Sequence, residues 1–309
     1  MNIGIIINSL IVIFLMIGVG FAAGKGKLVN RRAQGDFTTF LMNVTLPCTI
    51  FTSMIREFKS SLIRDSLIIF ALGIVFFAGF LILSGYLAKL FRVPENRQNP
   101  WAVCSALCNT GFMGFPLVLA IFGEEGLFLA SIMNLAYNCV VWTLGAKMMC
   151  RGTDQAHEIN WKKIFLTNVN IAVALGLIFF IAQLPVPAVA MTVLNYFGGI
   201  TTPLSMFLIG LSLSGGNLME VFTDRDVITI TVTRLILLPL LGIVVLRLLP
   251  LPAETLLAGV SLVIISMPCP SAGMMLAQQY GQDVELASRA IFFSSLCCIL
   301  TIPVLMLLI

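Results

Sequence analysis

The sequence predicts an all-α polytopic membrane protein with ten transmembrane helices, arranged as two inverted repeats of five. Three observations support this prediction: an apolar composition, ten apolar runs of spanning length, and residue matches between the two halves. Of the 309 residues, 59% are hydrophobic and 10% are charged, whereas about a quarter of the residues of soluble domains are charged. The expected solvent is therefore the lipid bilayer.

Apolar runs of about 20 residues are long enough to cross the hydrocarbon core as helices. The predicted spans cover residues 4–23, 37–55, 66–88, 101–122, 127–149, 164–183, 188–213, 227–249, 255–279 and 286–308. The connections between them are too short to hold a soluble domain. Nucleic-acid binding is excluded because no sizeable basic surface lies outside the membrane.

Basic residues predict the orientation of the spans. Of the 18 lysines and arginines, 13 lie in the odd-numbered connections or the span ends that flank them, and four lie in or beside the even-numbered ones. Cytoplasmic connections carry the excess of positive charge. We therefore expect a protein of the cell membrane (plasma or inner membrane) with both termini outside.

The two halves of the chain match at similar offsets. The matched residues are Pro47 with Pro203 (offset 156), Leu119-Ala120 with Leu276-Ala277 (offset 157), and Leu129-Ala130-Ser131 with Leu286-Ala287-Ser288 (offset 157). An odd number of spans per half makes the second half enter the membrane from the opposite side. We expect one five-helix repeat in residues 1–150 and its inverted copy in residues 160–309.

Two apolar runs at corresponding positions are interrupted by proline and glycine. They are Cys108–Pro116 in the fourth span and Ile265–Gly273 in the ninth. Such residues weaken or break a helix, and irregular backbone at membrane depth is tolerated where it lines a cavity or is buried in protein. We expect the fourth-span helix to break between Asn109 and Pro116 and the ninth-span helix to break at Pro268 and Pro270. The two broken helices are expected to cross at a binding site near the middle of the membrane. Two merely kinked helices are the alternative.

Polar side chains near these breaks are the candidate ligands. The candidates for substrate binding are Asn109, Thr110, Pro116, Ser266, Pro268, Pro270 and, before the proline of the second span, Asn43. In the fifth span Asn134 and Asn138 share a helix face. These two and Ser271 are candidates for binding a cation or supporting the site. The amide oxygens of the two asparagines could also bind the substrate, and hydrogen bonds between helices are their alternative role; the sequence leaves these roles open.

Arg234 is the only ionisable residue well inside a predicted span. It could pair with an anionic substrate, but its position about two turns from the cytoplasmic end favours a side chain that snorkels to the membrane surface. No acidic residue lies deep within a span, which disfavours a proton relay. Facilitated diffusion, movement driven by the membrane potential, and coupling to sodium held by neutral oxygens all remain open.

Enzyme and metal signatures are weak. Ser214 lies in a Ser-Leu-Ser-Gly run, but the only histidine, His157, lies in a connection and provides no base. Cys104 and Cys108 lie one helical turn apart without a histidine or carboxylate to complete a metal site. The chain is therefore predicted not to be an enzyme, and no cofactor or metal is expected.

The spans, the two breaks and the residues of the seventh span follow one another along the chain as in the auxin efflux carrier family. The chain therefore resembles this family, in particular its bacterial malate and malonate permeases. The resemblance covers nearly the whole chain and includes the fourth-span and ninth-span breaks and residues Thr202–Leu213. It implies a fold like those of sodium/proton antiporters and bile acid:sodium symporters. It also implies a scaffold domain (spans 1, 2, 6 and 7) and a transport domain (spans 3–5 and 8–10), interleaved in sequence, that move past each other as an elevator.

The predicted function is secondary transport of a small organic anion, with a mono- or dicarboxylate as the first choice. The chain lacks the long cytoplasmic loop of plant auxin carriers, so auxin is not claimed as its substrate. A channel or a membrane-embedded ligand sensor on a transporter scaffold is the alternative. The coupling ion is unknown, with sodium as one option, and a homodimer is one option for the assembly.

Overall fold

The computed structural model describes residues 3–153, 161–215, 223–249 and 256–306, and every regular element in these ranges is helical. Within them, six helices are long and apolar enough to cross a membrane, and three shorter apolar helices accompany them. The prediction of an all-α membrane protein is confirmed. His157 lies outside the described residues.

Helices follow one another along the whole described chain. In the first half they are α1 (Ile3–Lys25), α2 (Arg31–Phe40), α3 (Leu46–Met54), α4 (Ser60–Leu90), α5 (Glu95–Ala106), α6 (Phe115–Val140) and α7 (Ala146–Met149). In the second half they are α8 (Trp161–Phe165), α9 (Asn168–Ala182), α10 (Ala188–Gly199), α11 (Thr201–Ser214), α12 (Arg225–Val232), α13 (Leu238–Leu248), α14 (Leu256–Ile265), α15 (Ser271–Gln279) and α16 (Val284–Met306).

Each predicted span falls largely on helical residues. The apolar stretch Glu95–Met149 is 55 residues long, which at 1.5 Å per residue is far more than a core of about 30 Å requires. Gly123 in α6 leaves the helical conformation with φ 66°, a value that glycine adopts at little cost. It separates the predicted fourth and fifth spans. The count of ten crossings and the inverted repeat stay predictions.

Short π-helical segments precede three of the prolines. They are Leu41–Thr45 before Pro47, Thr110–Gly114 before Pro116, and Thr233–Leu237 before Pro239. Proline has no N–H and clashes with the preceding turn. A wider π turn accommodates the missing bond, and such segments often occur at functional sites. The third of these segments contains Arg234.

The chain forms two compact units, each assembled from three separate stretches. Unit 1 consists of Met1–Phe70, Gly111–Leu135 and Trp161–Gly215. Unit 2 consists of Ala71–Thr110, Ala136–Asn160 and Gly216–Ile309. The two units are thus interleaved in sequence. The roles of scaffold and transport domain stay predictions.

In unit 1, α1 and α11 pack with their backbones close together. A Cβ added at Gly20 would collide with the main chain of Phe207, and one added at Gly210 would collide with the main chain of Ile17. Small residues allow this kind of approach between membrane helices. Glycine is therefore required at both positions by the packing.

In unit 2, polar contacts join α5 to its neighbours. The buried Trp101 donates its indole N–H to the hydroxyl of Thr229, 2.9 Å away on α12. At the start of α5, Arg97 forms ion pairs with Asp224, Asp226 and Asp283 at 3.3, 3.1 and 2.9 Å. These contacts fix the starts of α5, α12 and α16 against one another.

Candidate functional site

Two helices of unit 2 end within apolar runs of the sequence, the predicted fourth and ninth spans. Helix α5 ends at Ala106, and α14 ends at Ile265, with five residues between it and the start of α15 at Ser271. The predicted break at Asn109 to Pro116 begins earlier than expected, because Leu107 is already extended (φ −92°, ψ 159°). Pro116 does not break a helix. It follows the π segment Thr110–Gly114 in continuous helical backbone, where the wider turn accommodates its missing N–H.

The two broken segments lie side by side. The main-chain N–H of Asn109 donates to the carbonyl oxygen of Pro268, 2.9 Å away. Ser266, Met267, Pro268, Cys269 and Pro270 are all buried. The two segments therefore meet in the interior of unit 2.

Arg234 lies where α5 and α14 end. Its side chain is 0% exposed. The guanidinium Nη1 donates to the carbonyls of Ala106 (2.6 Å) and Ser105 (3.4 Å), and Nη2 donates to the carbonyl of Ile265. The expectation that Arg234 snorkels to the surface is wrong, because these helix ends offer the guanidinium hydrogen-bond acceptors in the interior.

The helix ends also provide the charge that a buried cation needs. The C-terminus of a helix carries roughly −0.5 of an elementary charge, so the ends of α5 and α14 together offset about one positive charge. None of the described carboxylates forms an ion pair with Arg234. The ring of Phe80, centred 5.9 Å from Cζ, adds a cation–π contact.

The main-chain N–H groups in the break after α14 each have a hydrogen-bond acceptor. The N–H groups of Ser266 and Met267 donate back into the last turn of α14. The N–H of Cys269 donates to the hydroxyl of Ser294 on α16, 3.0 Å away, and the carbonyl of Pro270 accepts from Gly273. Buried backbone groups must be satisfied in this way, so the break is a defined conformation.

Two serines flank this break in different environments. The hydroxyl of Ser266 is buried and has no hydrogen-bond partner among the described residues. Ser271 is exposed at the first position of α15, where no side chain caps the helix. The N-terminus of a helix carries roughly +0.5 of an elementary charge and favours anions. The break thus presents the unpartnered hydroxyl of Ser266 and the positive end of α15.

A shallow cleft of about 250 Å³ lies in unit 1. It is lined by Asn8, Val12, Ile13, Met16, Ala120 and Thr202. Its lining is mainly apolar and contains none of the predicted site residues. The candidate site is therefore the region of the broken segments of unit 2.

Comparison with known proteins agrees with a membrane transport protein. A sequence model of the membrane transport protein family matches residues 5–306. The chain belongs to this family. Because the family is one of transporters, the predictions of a transporter and of a protein that is not an enzyme are confirmed.

The transporter is similar to archaeal and bacterial proteins over nearly its whole length. It is 26% identical over 300 residues to an uncharacterized transporter of Methanothermobacter thermautotrophicus and 27% identical over 304 residues to one of Methanocaldococcus jannaschii; each match covers 96% of both chains. It is 24% identical over 309 residues to a Rhizobium meliloti transporter whose name proposes malonate as the substrate, covering 96% of this chain and 93% of the relative.

The remaining predicted site residues of the transporter lie in several places. In unit 2, Asn109 is half-buried and Thr110 is buried, with its N–H donating to the carbonyl of Cys108. In unit 1, the exposed Asn43 donates to the carbonyl of Thr39 and accepts from the side chain of Asn168. These contacts are local to unit 1. A role of Asn43 in substrate binding stays a prediction.

Asn134 and Asn138 lie one turn apart on α6 of the transporter, as their spacing predicts. Asn134 is buried and belongs to unit 1, whereas Asn138 is half-buried and belongs to unit 2. The structure therefore divides this pair between the two units. Whether these asparagines bind a ligand or form hydrogen bonds between helices stays a question for experiment.

Sequence reasoning missed the residues that hold the transporter's broken segments in place. Ser294 carries no sequence signal, because a single serine in an apolar helix can serve many purposes. Gly273 packs against Cys104, and a Cβ at Gly273 would lie 2.8 Å from Cys104 Sγ. For Arg234 a signal existed: Pro239 lies five residues further on and predicts a disturbed turn around the arginine.

Proposed function

We propose that this transporter is a secondary carrier of a small organic anion, a mono- or dicarboxylate, that binds beside the broken segments of unit 2. The observation that carries the proposal is the position of Arg234. Because its guanidinium neutralises the C-terminal ends of α5 and α14, the positive N-terminus of α15 and the donor groups of Ser266 and Ser271 remain. This combination favours an anion.

A carboxylate suits these groups chemically. Its two oxygens accept several hydrogen bonds and offer no donor, which matches a site with hydroxyl and main-chain donors. The Rhizobium meliloti relative, whose name proposes malonate, supports a dicarboxylate. Since this relative is only 24% identical, its name serves to choose the first compounds for the transport assay.

The proposal includes alternating access by an elevator movement and a place in the cell membrane with both termini outside. It requires no cofactor. Binding near the bilayer midplane at broken helices is a common arrangement in secondary transporters. The interleaved units supply two bodies that such a movement needs.

Counterflow in proteoliposomes tests the proposal. Vesicles loaded with unlabelled malonate or malate should accumulate the labelled compound above the level of empty vesicles, since a carrier exchanges substrate without a net gradient. Absence of exchange for every mono- and dicarboxylate under any imposed gradient would contradict it. Single-channel currents would show a channel instead, and binding without translocation would show a sensor.

A further inference from the structure

Arg234 occupies the place where a carrier of this kind could bind a coupling cation. In secondary transporters, unwound backbone carbonyls and the C-terminal ends of half-helices coordinate sodium or protons. In unit 2, the carbonyls at these ends are those of Ser105, Ala106 and Ile265. All three accept hydrogen bonds from one guanidinium.

The guanidinium is anchored as a part of the fold. It extends from the π segment Thr233–Leu237 and is fully buried. Its two terminal nitrogens reach the last residues of two different helices, α5 and α14. An arginine can bridge two helices in this way because its planar guanidinium presents several donors in fixed directions. The charge therefore stays in place without a ligand.

A second cation is excluded from the same carbonyls. One lone pair of each carbonyl accepts from the guanidinium, and a like charge about 4 Å away lowers the affinity for another cation by about three orders of magnitude. Arginine also keeps its proton in proteins. Neither sodium nor a proton can therefore be bound and released at this position.

We propose that Arg234 is a resident cation that replaces the coupling ion at the broken helices, so that transport proceeds without sodium. The cycle is then driven by the gradient of the substrate and by the membrane potential acting on its negative charge. The statement about transport rests on the proposed function. The statement that the helix ends require a fixed cation stands independently of it.

The structural part is tested by thermal unfolding of Arg234→Ala in detergent. We expect a lower melting temperature than that of the wild type, partly restored by millimolar guanidinium and less by urea, which has a similar shape but no charge. Arg247→Ala removes an exposed arginine from α13 and is the matched control. Equal effects of guanidinium on both variants would overturn the proposal.

A second pair of variants covers the case in which Arg234→Ala does not fold. Arg234→Gln keeps donors without the charge, and Arg234→Lys keeps the charge without the fork. The proposal expects the lysine variant to be the more stable one, because the charge opposes the helix ends. A glutamine variant as stable as the wild type would overturn it.

The transport part is tested with wild-type protein in the counterflow assay. The exchange rate should be the same in sodium, potassium and choline buffers. A loss of about tenfold or more without sodium would overturn sodium-independent transport. If no carboxylate is exchanged in any buffer, the proposed function fails, while the unfolding experiment still decides the role of Arg234.

Discussion

The main-chain N–H of Asn109 donates to the carbonyl oxygen of Pro268, 2.9 Å away, and joins the two broken segments of unit 2. The contact uses backbone on both sides, so the side chain of Asn109 is not needed for it. Its N–H therefore joins the segments, while its side-chain amide is, in the proposed site, a candidate ligand of the substrate. These two roles can be separated by substitution.

Asn109→Ala should abolish carboxylate exchange while the protein still folds and inserts into the membrane. The variant keeps the main-chain bond to Pro268 and removes the amide that is the candidate ligand. Asn99→Ala is the control, since Asn99 lies on α5 and donates to the carbonyl of Arg151 at the far end of the helix. Wild-type exchange by Asn109→Ala would remove this residue from the site.

Gly273→Ala should destabilise the protein. Alanine usually favours a helix over glycine by about 1 kcal/mol, but its Cβ would lie 2.8 Å from the sulfur of the buried Cys104. Overpacking costs about 1–3 kcal/mol and is expected to dominate. Thermal unfolding in detergent measures the change.

The contact between position 273 and Cys104 predicts a second substitution that compensates for Gly273→Ala. Cys104→Ala removes the sulfur that the new Cβ meets, so the double variant should be more stable than the sum of the two single changes implies. If the effects of the two single substitutions simply add in the double variant, the new Cβ does not meet the sulfur of Cys104 and the helices have shifted to accommodate it. A double-mutant cycle on melting temperatures gives the answer.

Ser294→Ala should lower the free energy of unfolding by about 1–3 kcal/mol, because it leaves the buried N–H of Cys269 without an acceptor. Ser288→Ala on the exposed side of the same helix, α16, is the matched control. Denaturant or thermal unfolding compares the two. Equal effects would mean that the Cys269 N–H finds another partner.

Arg97→Gln should lower the melting temperature, because it leaves Asp224, Asp226 and Asp283 close together without their shared cation. These carboxylates are 11–21% exposed, so a cost of about 2 kcal/mol is expected, between the values for surface and buried pairs. Lys89→Gln, at an exposed position, is the control. No difference between the two would show that the network contributes nothing to stability.

The sequence by itself determined the membrane class, the family and the places where helices are disturbed. Apolar runs, prolines and glycines act on the nearest few residues of backbone, so their effects can be predicted without knowing the fold. Even so, the break after α5 begins earlier than the sequence predicts: Leu107 is already extended, and Pro116 lies within helical backbone.

Only the tertiary structure decided what satisfies the broken helices. The partners of Pro268, Cys269 and Ile265 are Asn109, Ser294 and Arg234, which lie tens to more than a hundred residues away in the chain. Sequence position alone suggested that Arg234 reaches the membrane surface. The arginine is buried instead, because two helix C-termini from distant parts of the chain meet around its guanidinium and neutralise it.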